Sequence, residues 1–187
     1  SNVIVTEIDS FRALQAAMDG FRVMPIKEAS KIGDIFVTVT GNKNVIDLEH
    51  MKIMKDGAIL ANSGHFDAEI NINGLKKISK HRKIRPFMDE FALDNGKRIF
   101  ILGEGRLVNL SAAEGHPSTI MSMSFCNQAM ACEYLVNNQG KLKSKVYKLP
   151  AEIDDEIARL QLDAMGIKID EMTQEQKKYS ESWQEGT

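Results

Sequence analysis

Four groups of polar residues in this 187-residue sequence have the composition of a nucleotide-binding site. Each group begins where an apolar, strand-like run stops. The groups are Glu7 with Asp9, Thr40 with Gly41, Ser63 with Gly64 and His65, and Glu104 with Asn109. In an open parallel sheet the carboxyl ends of the strands share one edge, and ligands bind in the crevice outside that edge. The pattern predicts one polar edge suited to a nucleotide.

Four of these residues have a specific use in such a crevice. An acid at the end of the second strand of a dinucleotide fold accepts hydrogen bonds from the adenosine ribose, which indicates that role for Glu7. Thr40 offers a hydroxyl, and Gly41 permits close approach of the backbone to a ligand. His65 carries an imidazole that can act as a base or as a hydrogen-bond partner near neutral pH.

Each of these residues also has a simpler interpretation. An acid after a strand is commonly a turn or helix-cap residue, and a Thr-Gly pair is common in turns. His65 also fits a solvated loop histidine. His116, between Gly115 and Pro117 at a predicted helix start, is either a ligand contact or a simple cap.

Strands and helices alternate over roughly the first hundred residues, which predicts a doubly wound parallel α/β sheet. The predicted strands are "NVIVTEID", "DIFVTVTG", "AILANSG" and "RIFILGEG", and "FRVMPIKEASKIG" is expected to give a short strand and then a short helix. The other predicted helices between the strands lie in "SFRALQAAMDG", "DLEHMKIMKDG" and "INGLKKI". The basic run "KKISKHRKIR" is interpreted as a solvated face, and His50 and His81 as surface residues.

The last third of the sequence predicts helices. A long helix is expected from Pro117 to Val136, since Pro117 suits a first turn and apolar residues recur at helical spacing behind it. A second helix is expected from Pro150, with Gly166 after its end. Thr173 and Gln176 resemble a capping box for a last short helix.

Composition excludes several function classes. The net charge of −2 gives no field that would recruit nucleic acid. No apolar run reaches the ~18 residues that span a bilayer, and the first residues lack a signal-peptide pattern, so we expect a cytoplasmic protein without a membrane partner. Cys126 and Cys132 lie six residues apart in a predicted helix, which disfavours a disulfide, and no metal-ligand spacing is present.

Three stretches resemble the S-adenosylhomocysteine hydrolase (adenosylhomocysteinase) family. They are "VIVTEIDSFRALQAAMDGFRVM", "GAILANSGHFDAEI" and "EGRLVNLSAAEGHPSTIMSMSFCNQAMA", and the closing "KVYKLPAEIDDEIARLQLDAMGIKIDEMTQEQKKY" is similar to the C-terminal segment of that family. The resemblance implies a tetramer with tightly bound NAD that reversibly splits S-adenosylhomocysteine into adenosine and homocysteine. In the family, NAD oxidises the 3'-hydroxyl of the substrate ribose, homocysteine is eliminated from C5', water adds, and the hydride returns.

The resemblance also implies roles for individual residues. The implied catalytic residues are His65, Asn109 and His116. The implied cofactor-binding residues are Glu7, Thr38, Thr40, Gly41, Asn42, Ser63, Gly64, His65 and Asn109. The implied substrate-binding residues are His65, Leu107, Gly115 and His116. Among these, His65 is the better candidate for activating the 5' leaving group or the attacking water, and Asn109 would contact the nicotinamide amide.

The sequence departs from the family pattern in ways that affect the expected function. It contains no GxGxxG turn, and we expect the first strand of the NAD domain and the substrate-binding domain to be missing. The expected division is an incomplete Rossmann-like NAD-binding domain over 1–116, a long helix and linker over 117–149, and an oligomerisation segment over 150–187. The Lys and Tyr tail of many family members is absent after "SWQEGT".

Three functional hypotheses follow from these departures. The first is an NAD-binding C-terminal part of the enzyme, inactive alone and completed by a missing N-terminal portion or companion chain. The second is a non-catalytic relative that acts as a binding or regulatory module. The third is half of an ordinary NAD dehydrogenase, which "EGRLVNL" and "GHPS" disfavour.

Overall fold

The protein divides into two compact units in a computed structural model that describes residues 1–181. The first unit spans Ser1–Gly115, and the second begins at His116. The last residues of the predicted oligomerisation segment, 182–187, lie outside the described residues.

The first unit contains seven strands and five helices. The strands are β1 (Ile4–Val5), β2 (Arg22–Val23), β3 (Ile35–Thr38), β4 (Ala58–Asn62), β5 (Ser79–Arg85), β6 (Met88–Leu93) and β7 (Arg98–Leu102). The helices are α1 (Ser10–Met18), α2 (Ile26–Ile32), α3 (Leu48–Ile53), α4 (Ile72–Lys77) and α5 (Val108–Ser111), and a short 3-10 turn covers Gly103–Gly105. This confirms the α/β class.

The strands form two sheets instead of one. β1 and β2 pair in parallel as a separate two-stranded sheet. The other five strands have the order β3-β4-β7-β6-β5, in which β3, β4 and β7 are parallel. The predicted strand at the N-terminus is therefore present, but it does not hydrogen-bond to the five-stranded sheet that carries the other groups of polar residues.

The pair β5–β6 was not expected. Both strands are antiparallel to their neighbours, so the sheet is mixed. The basic run forms the edge strand β5, whose residues are exposed apart from the half-buried Ser79, and its side chains remain solvated as predicted. Lysine and arginine on an edge strand hinder pairing with another chain, which suits this position.

The core of the first unit lies between the five-stranded sheet and its helices. Met51 of α3, Leu75 of α4, Leu60 of β4 and Ile101 of β7 are fully buried there. On β3, Phe36 and Thr38 are buried whereas Ile35 and Val37 are 65% and 55% exposed. One side of this edge strand is therefore uncovered.

The second unit is helical, as predicted. It contains α6 (Ser118–Asn137), α7 (Ala151–Ala164) and α8 (Gln174–Ser180). Asn127 of α6 donates to Asp154 of α7, and Ile157 of α7 is buried. The capping box of Thr173 and Gln176 is present at the start of α8. Cys126 and Cys132 are both free and exposed.

Candidate functional site

The carboxyl ends of β3, β4 and β7 lie side by side because these strands are parallel neighbours. Thr38 at the end of β3 pairs in register with Asn62 at the end of β4, and Leu60 pairs with Ile101 of β7. The chain leaves β3 toward Thr40 and Gly41, and leaves β4 toward Ser63 and His65. Three of the four predicted groups of polar residues thus share one edge of one sheet.

Asn62 joins these three strand ends. Its side chain is fully buried, and its Oδ1 accepts from the backbone amide of Gly64 at 2.8 Å and from the Thr38 hydroxyl at 3.4 Å. Its Nδ2 donates to the carbonyl of Gly105 at 2.9 Å, just beyond β7, and to the carbonyl of Phe66. A buried amide with all its groups bonded fixes the relative position of the segments that it contacts.

Glu69 holds the turn that follows β3. The residue is fully buried, and its carboxylate accepts from the backbone amide of Thr40 at 3.1 Å, from the Thr40 hydroxyl at 3.3 Å and from the backbone amide of Gly41. Burial raises the pKa of this carboxyl, but the hydrogen bonds from the Thr40 and Gly41 amides and from the Thr38 and Thr40 hydroxyls outweigh it. The pKa of Glu69 therefore lies below its ordinary value, and the group is ionised near neutral pH.

Gly64 is a glycine because of Glu69. A Cβ at position 64 would lie far inside van der Waals contact of the Glu69 carboxylate. Gly64 is not among the glycines with a positive φ, so space and not backbone conformation sets the residue type. The Glu69 carboxylate thus lies against both the turn after β3 and the turn after β4.

His65 projects from the second of these turns. It is exposed, and its ring lies 4.3 Å from the ring of Phe66 in an edge-to-face arrangement. Phe66 adopts a φ of 36°, a conformation that non-glycine residues rarely take and that the Asn62 bond to its carbonyl holds in place. The imidazole of His65 is therefore carried on a fixed turn and is open to a ligand.

Asn109 of α5 has an acceptor without a partner. Its Oδ1 is buried and makes no hydrogen bond within the part of the chain that the structure describes. Leu107, just before α5, forms a single parallel bridge with Asn62, which ties this segment to the same edge. A buried carbonyl oxygen without a donor is costly, and an amide N–H of a ligand would satisfy it.

Glu7 lies two residues beyond β1, a strand of the separate two-stranded sheet. Its Oε1 accepts from the backbone amides of Ile8 at 2.7 Å and Asp9 at 3.0 Å, and the bond from Asp9 followed by that from Ile8 lowers the pKa of the Glu7 carboxyl. Asp9 in turn caps α1 by accepting from the Arg12 amide. The strand pairing does not support the prediction that Glu7 lies on the same sheet edge as the other three groups of polar residues.

The remaining predicted residues occupy turns. Asn42 donates its backbone amide to the Thr40 hydroxyl at 3.1 Å, and its side chain accepts from the Lys43 amide. Gly115 has a φ of 80° at the end of the first unit. His116 is exposed and opens the second unit, two residues before α6.

Sequence reasoning missed Asn62 and Glu69. Both lie within "GAILANSGHFDAEI", but the sequence pattern predicts Asn62 only as part of a strand and does not single out Glu69. The available signal was an acid directly before a buried apolar residue, Ile70, where a solvated loop acid is unexpected.

One histidine was wrongly placed at the surface. His50 is buried, and its Nδ1 accepts from the backbone amide of Asp47 in a capping box at the start of α3. His81 is partly exposed, and its Nε2 lies 2.8 Å from Asp89.

The described residues hold no group of three or more His, Cys, Asp and Glu side chains arranged as a metal site. None of the helices within residues 1–181 is long and apolar enough to cross a membrane.

Comparison with known proteins identifies the family. Residues 1–115 match the family model described as S-adenosyl-L-homocysteine hydrolase, NAD binding domain. The whole chain is 62% identical to the adenosylhomocysteinase of Saccharolobus solfataricus and 60% identical to that of Gloeothece citriformis, covering 45% and 44% of those proteins. Over 99% of the chain, it is 59% identical to the adenosylhomocysteinase of Aquifex aeolicus.

The chain therefore spans less than half the length of the curated relatives that it matches. Within that length, the matched family model covers the seven strands and the Asn62 and Glu69 contacts described above. The chain belongs to the S-adenosyl-L-homocysteine hydrolase family and carries its NAD binding domain.

Proposed function

We propose that this chain is the NAD-binding part of an adenosylhomocysteinase, which reversibly hydrolyses S-adenosyl-L-homocysteine to adenosine and L-homocysteine. The observation that carries the proposal is the Asn62 side chain, which joins the ends of β3, β4 and β7 at one edge of the sheet. Ligands of open α/β sheets bind outside such strand ends.

The residues along this edge fit NAD. The Oδ1 of Asn109 has no hydrogen-bond partner among the described residues, and it can accept a hydrogen bond from the amide N–H of the nicotinamide. Gly41 has a φ of 73° and open space where a side chain would stand, so a ligand can approach its backbone. When bound, NAD supplies a reversible oxidation of the substrate ribose at its 3' position.

The other cofactor contacts that we propose are Thr38, Thr40, Asn42, Ser63 and Gly64. Thr38 and Thr40 offer hydroxyls beside the edge, and their positions are set by Asn62 and Glu69. We also propose that Glu7 binds the adenosine ribose. This role rests on the fixed Glu7 carboxylate, one oxygen of which accepts from the backbone amides of Ile8 and Asp9.

His65 would move the proton in the elimination and hydration steps. Its exposed imidazole can donate to the 5' leaving group and take a proton from the attacking water. We propose that Leu107, Gly115 and His116 contact the substrate, with His65 and His116 as catalytic residues beside Asn109.

The second unit would serve in assembly. Segment 150–187 is proposed to join subunits of a homotetramer, and segment 117–149 to lead back toward the substrate domain. Support comes from exposed apolar side chains on and after α7. They are Leu160, Met165, Ile167, Ile169 and Met172. We propose a cytoplasmic protein without a nucleic-acid or membrane partner, whose activity requires the remaining part of the enzyme.

The test is complementation. The chain is mixed with the N-terminal portion of a relative, or expressed as part of a full-length enzyme, and the denatured protein is assayed for released NAD. Hydrolysis and synthesis of S-adenosyl-L-homocysteine are assayed in parallel. We expect bound NAD and activity in both directions. Stable assembly without NAD or turnover would contradict the proposal and favour a binding module.

A further inference from the structure

Glu69 has contacts that the proposed reaction does not explain. Glu69 is fully buried and forms no ion pair with a cationic side chain among the described residues. Its carboxylate accepts hydrogen bonds from the turn at Thr40 and Gly41. Burying a carboxylate costs free energy unless its oxygens are hydrogen-bonded. Here the loop after β3 provides those bonds, so the loop and the carboxylate depend on each other.

The same carboxylate packs against the second turn of the site. It fills the space next to Gly64 that a side chain would need. Gly64 directly precedes His65, and its amide is held by Asn62 at 2.8 Å. A shift of Glu69 would therefore displace the Thr40–Gly41 turn through its hydrogen bonds. The same shift would displace the Gly64–His65 turn through van der Waals contact.

We propose that Glu69 is a positioning residue that couples the two cofactor-binding turns, so that the conformation that binds NAD also sets the position of His65. This inference rests on the proposed function of the site and adds a residue to it. Glu69 acts through Thr40, Gly41 and Gly64, and it has no role in the chemical steps.

The first test is Glu69→Gln in the full-length or complemented enzyme. A neutral amide keeps the shape, but its NH2 group cannot accept from the Thr40 or Gly41 amide. We expect the dissociation constant for NAD to rise roughly tenfold to a hundredfold, the range for loss of a charged hydrogen-bond partner. NAD binding is measured directly by titration of the apoenzyme, independently of turnover.

The matched control is Glu90→Gln. Glu90 is another buried glutamate, but it lies on β6 and its carboxylate pairs with Arg82 on β5. This variant is expected to lose stability and to retain the affinity for NAD. An equal loss of stability in both variants, with NAD affinity unchanged in both, would show that Glu69 is merely structural.

A double-mutant cycle of Thr40→Val with Gly64→Ala, which leaves Glu69 in place, keeps the test informative if Glu69→Gln folds poorly. Thr40→Val removes one donor from an exposed position, and Gly64→Ala introduces the excluded Cβ. If both act through Glu69, each weakens NAD binding alone and the double variant loses less affinity than the sum of the two. Additive effects would overturn the coupling. Absence of NAD binding to the unmodified enzyme would instead contradict the proposed function.

Discussion

The Nδ2 atom of Asn62 lies 2.9 Å from the carbonyl oxygen of Gly105, a residue 43 positions later in the sequence. This bond connects the end of β4 to the segment after β7, and it does so with a side chain that is fully buried. The geometry of the crevice thus depends on a residue that no ligand needs to touch.

Replacing Asn62 should loosen the crevice. Asn62→Asp keeps the shape but places an acceptor against the carbonyls of Phe66 and Gly105, so we expect a loss of about 1–3 kcal/mol in the free energy of unfolding. NAD affinity should fall as well. Denaturant unfolding and NAD titration measure the two effects. Asn95→Ala, at an exposed turn, is the control; an equal effect there would contradict the prediction.

Asn109 should matter for binding and not for folding. Because its buried Oδ1 has no partner among the described residues, Asn109→Ala removes an unsatisfied group, and the melting temperature should stay equal or rise. NAD affinity should fall roughly tenfold. Calorimetry and NAD titration test this, and a lower melting temperature with intact affinity would refute it.

His65→Ala should separate the steps of the proposed reaction. Formation of reduced cofactor on addition of adenosine should persist, because oxidation at the 3' position does not require a proton at the 5' position. Release of homocysteine should fall by roughly a hundredfold to ten-thousandfold, the usual contribution of a general acid–base. NADH absorbance and thiol release report the two rates. His81→Gln, on edge strand β5, serves as the control, and equal loss of both rates in His65→Ala would argue for a structural role.

The free energy of unfolding should depend on pH through Glu69. The folded-state pKa of this carboxyl lies below its ordinary value of 4.5, so the unfolded state binds the proton more readily. The stabilisation by ionised Glu69 is present above the ordinary pKa and is lost as the pH falls through the folded-state pKa. The stability difference between the unmodified protein and Glu69→Gln should therefore shrink in acid. Denaturant unfolding from about pH 7 to about pH 3 makes the comparison, and a difference independent of pH would contradict it.

The uncovered side of β3 should drive self-association of the isolated chain. Ile35 and Val37 are exposed on the edge strand of the five-stranded sheet, and bare apolar edges pair with other chains. Val37→Lys should lower the fraction of oligomers in analytical ultracentrifugation. Val146→Lys, at a residue 98% exposed outside the sheets, makes the same chemical change and should have no effect. A similar response of both variants would contradict the role of the edge.

Much of the fold follows from local sequence patterns. The strands at Ile35–Thr38 and Ala58–Asn62 are β-branched or apolar runs that end in polar turns, and α6 and α8 begin at the predicted proline and capping box. These elements were predicted because each signal is contained in a few adjacent residues.

The hairpin β5–β6 was missed for a physical reason. β5 has no alternation of apolar and polar residues, because most of its side chains face solvent at the sheet edge. Its strand conformation is dictated by pairing with β6, and cross-strand pairs such as Arg82 with Glu90 become visible only in three dimensions. The separation of β1–β2 from the larger sheet is likewise a matter of long-range pairing.

The site was predicted only in part, because the contacts that position its residues also join distant segments of the chain. Gly64 and His65 were identified from their position directly after a predicted strand. The need for a glycine at position 64, however, comes from the carboxylate of Glu69, five residues away. Asn62 was hidden because its partners lie on three separate segments of the chain. Residues that position a site are harder to find from sequence than residues that line it.

The close packing of Gly64 against Glu69 also restricts how this region can evolve. Any larger residue at position 64 requires a smaller one at position 69, and a smaller residue at 69 leaves the Thr40 and Gly41 amides without their acceptor. A single substitution at either position is therefore harmful, and a replacement of one is tolerated only together with compensating changes at the other and in the turn. The pair should change in concert across relatives or not at all.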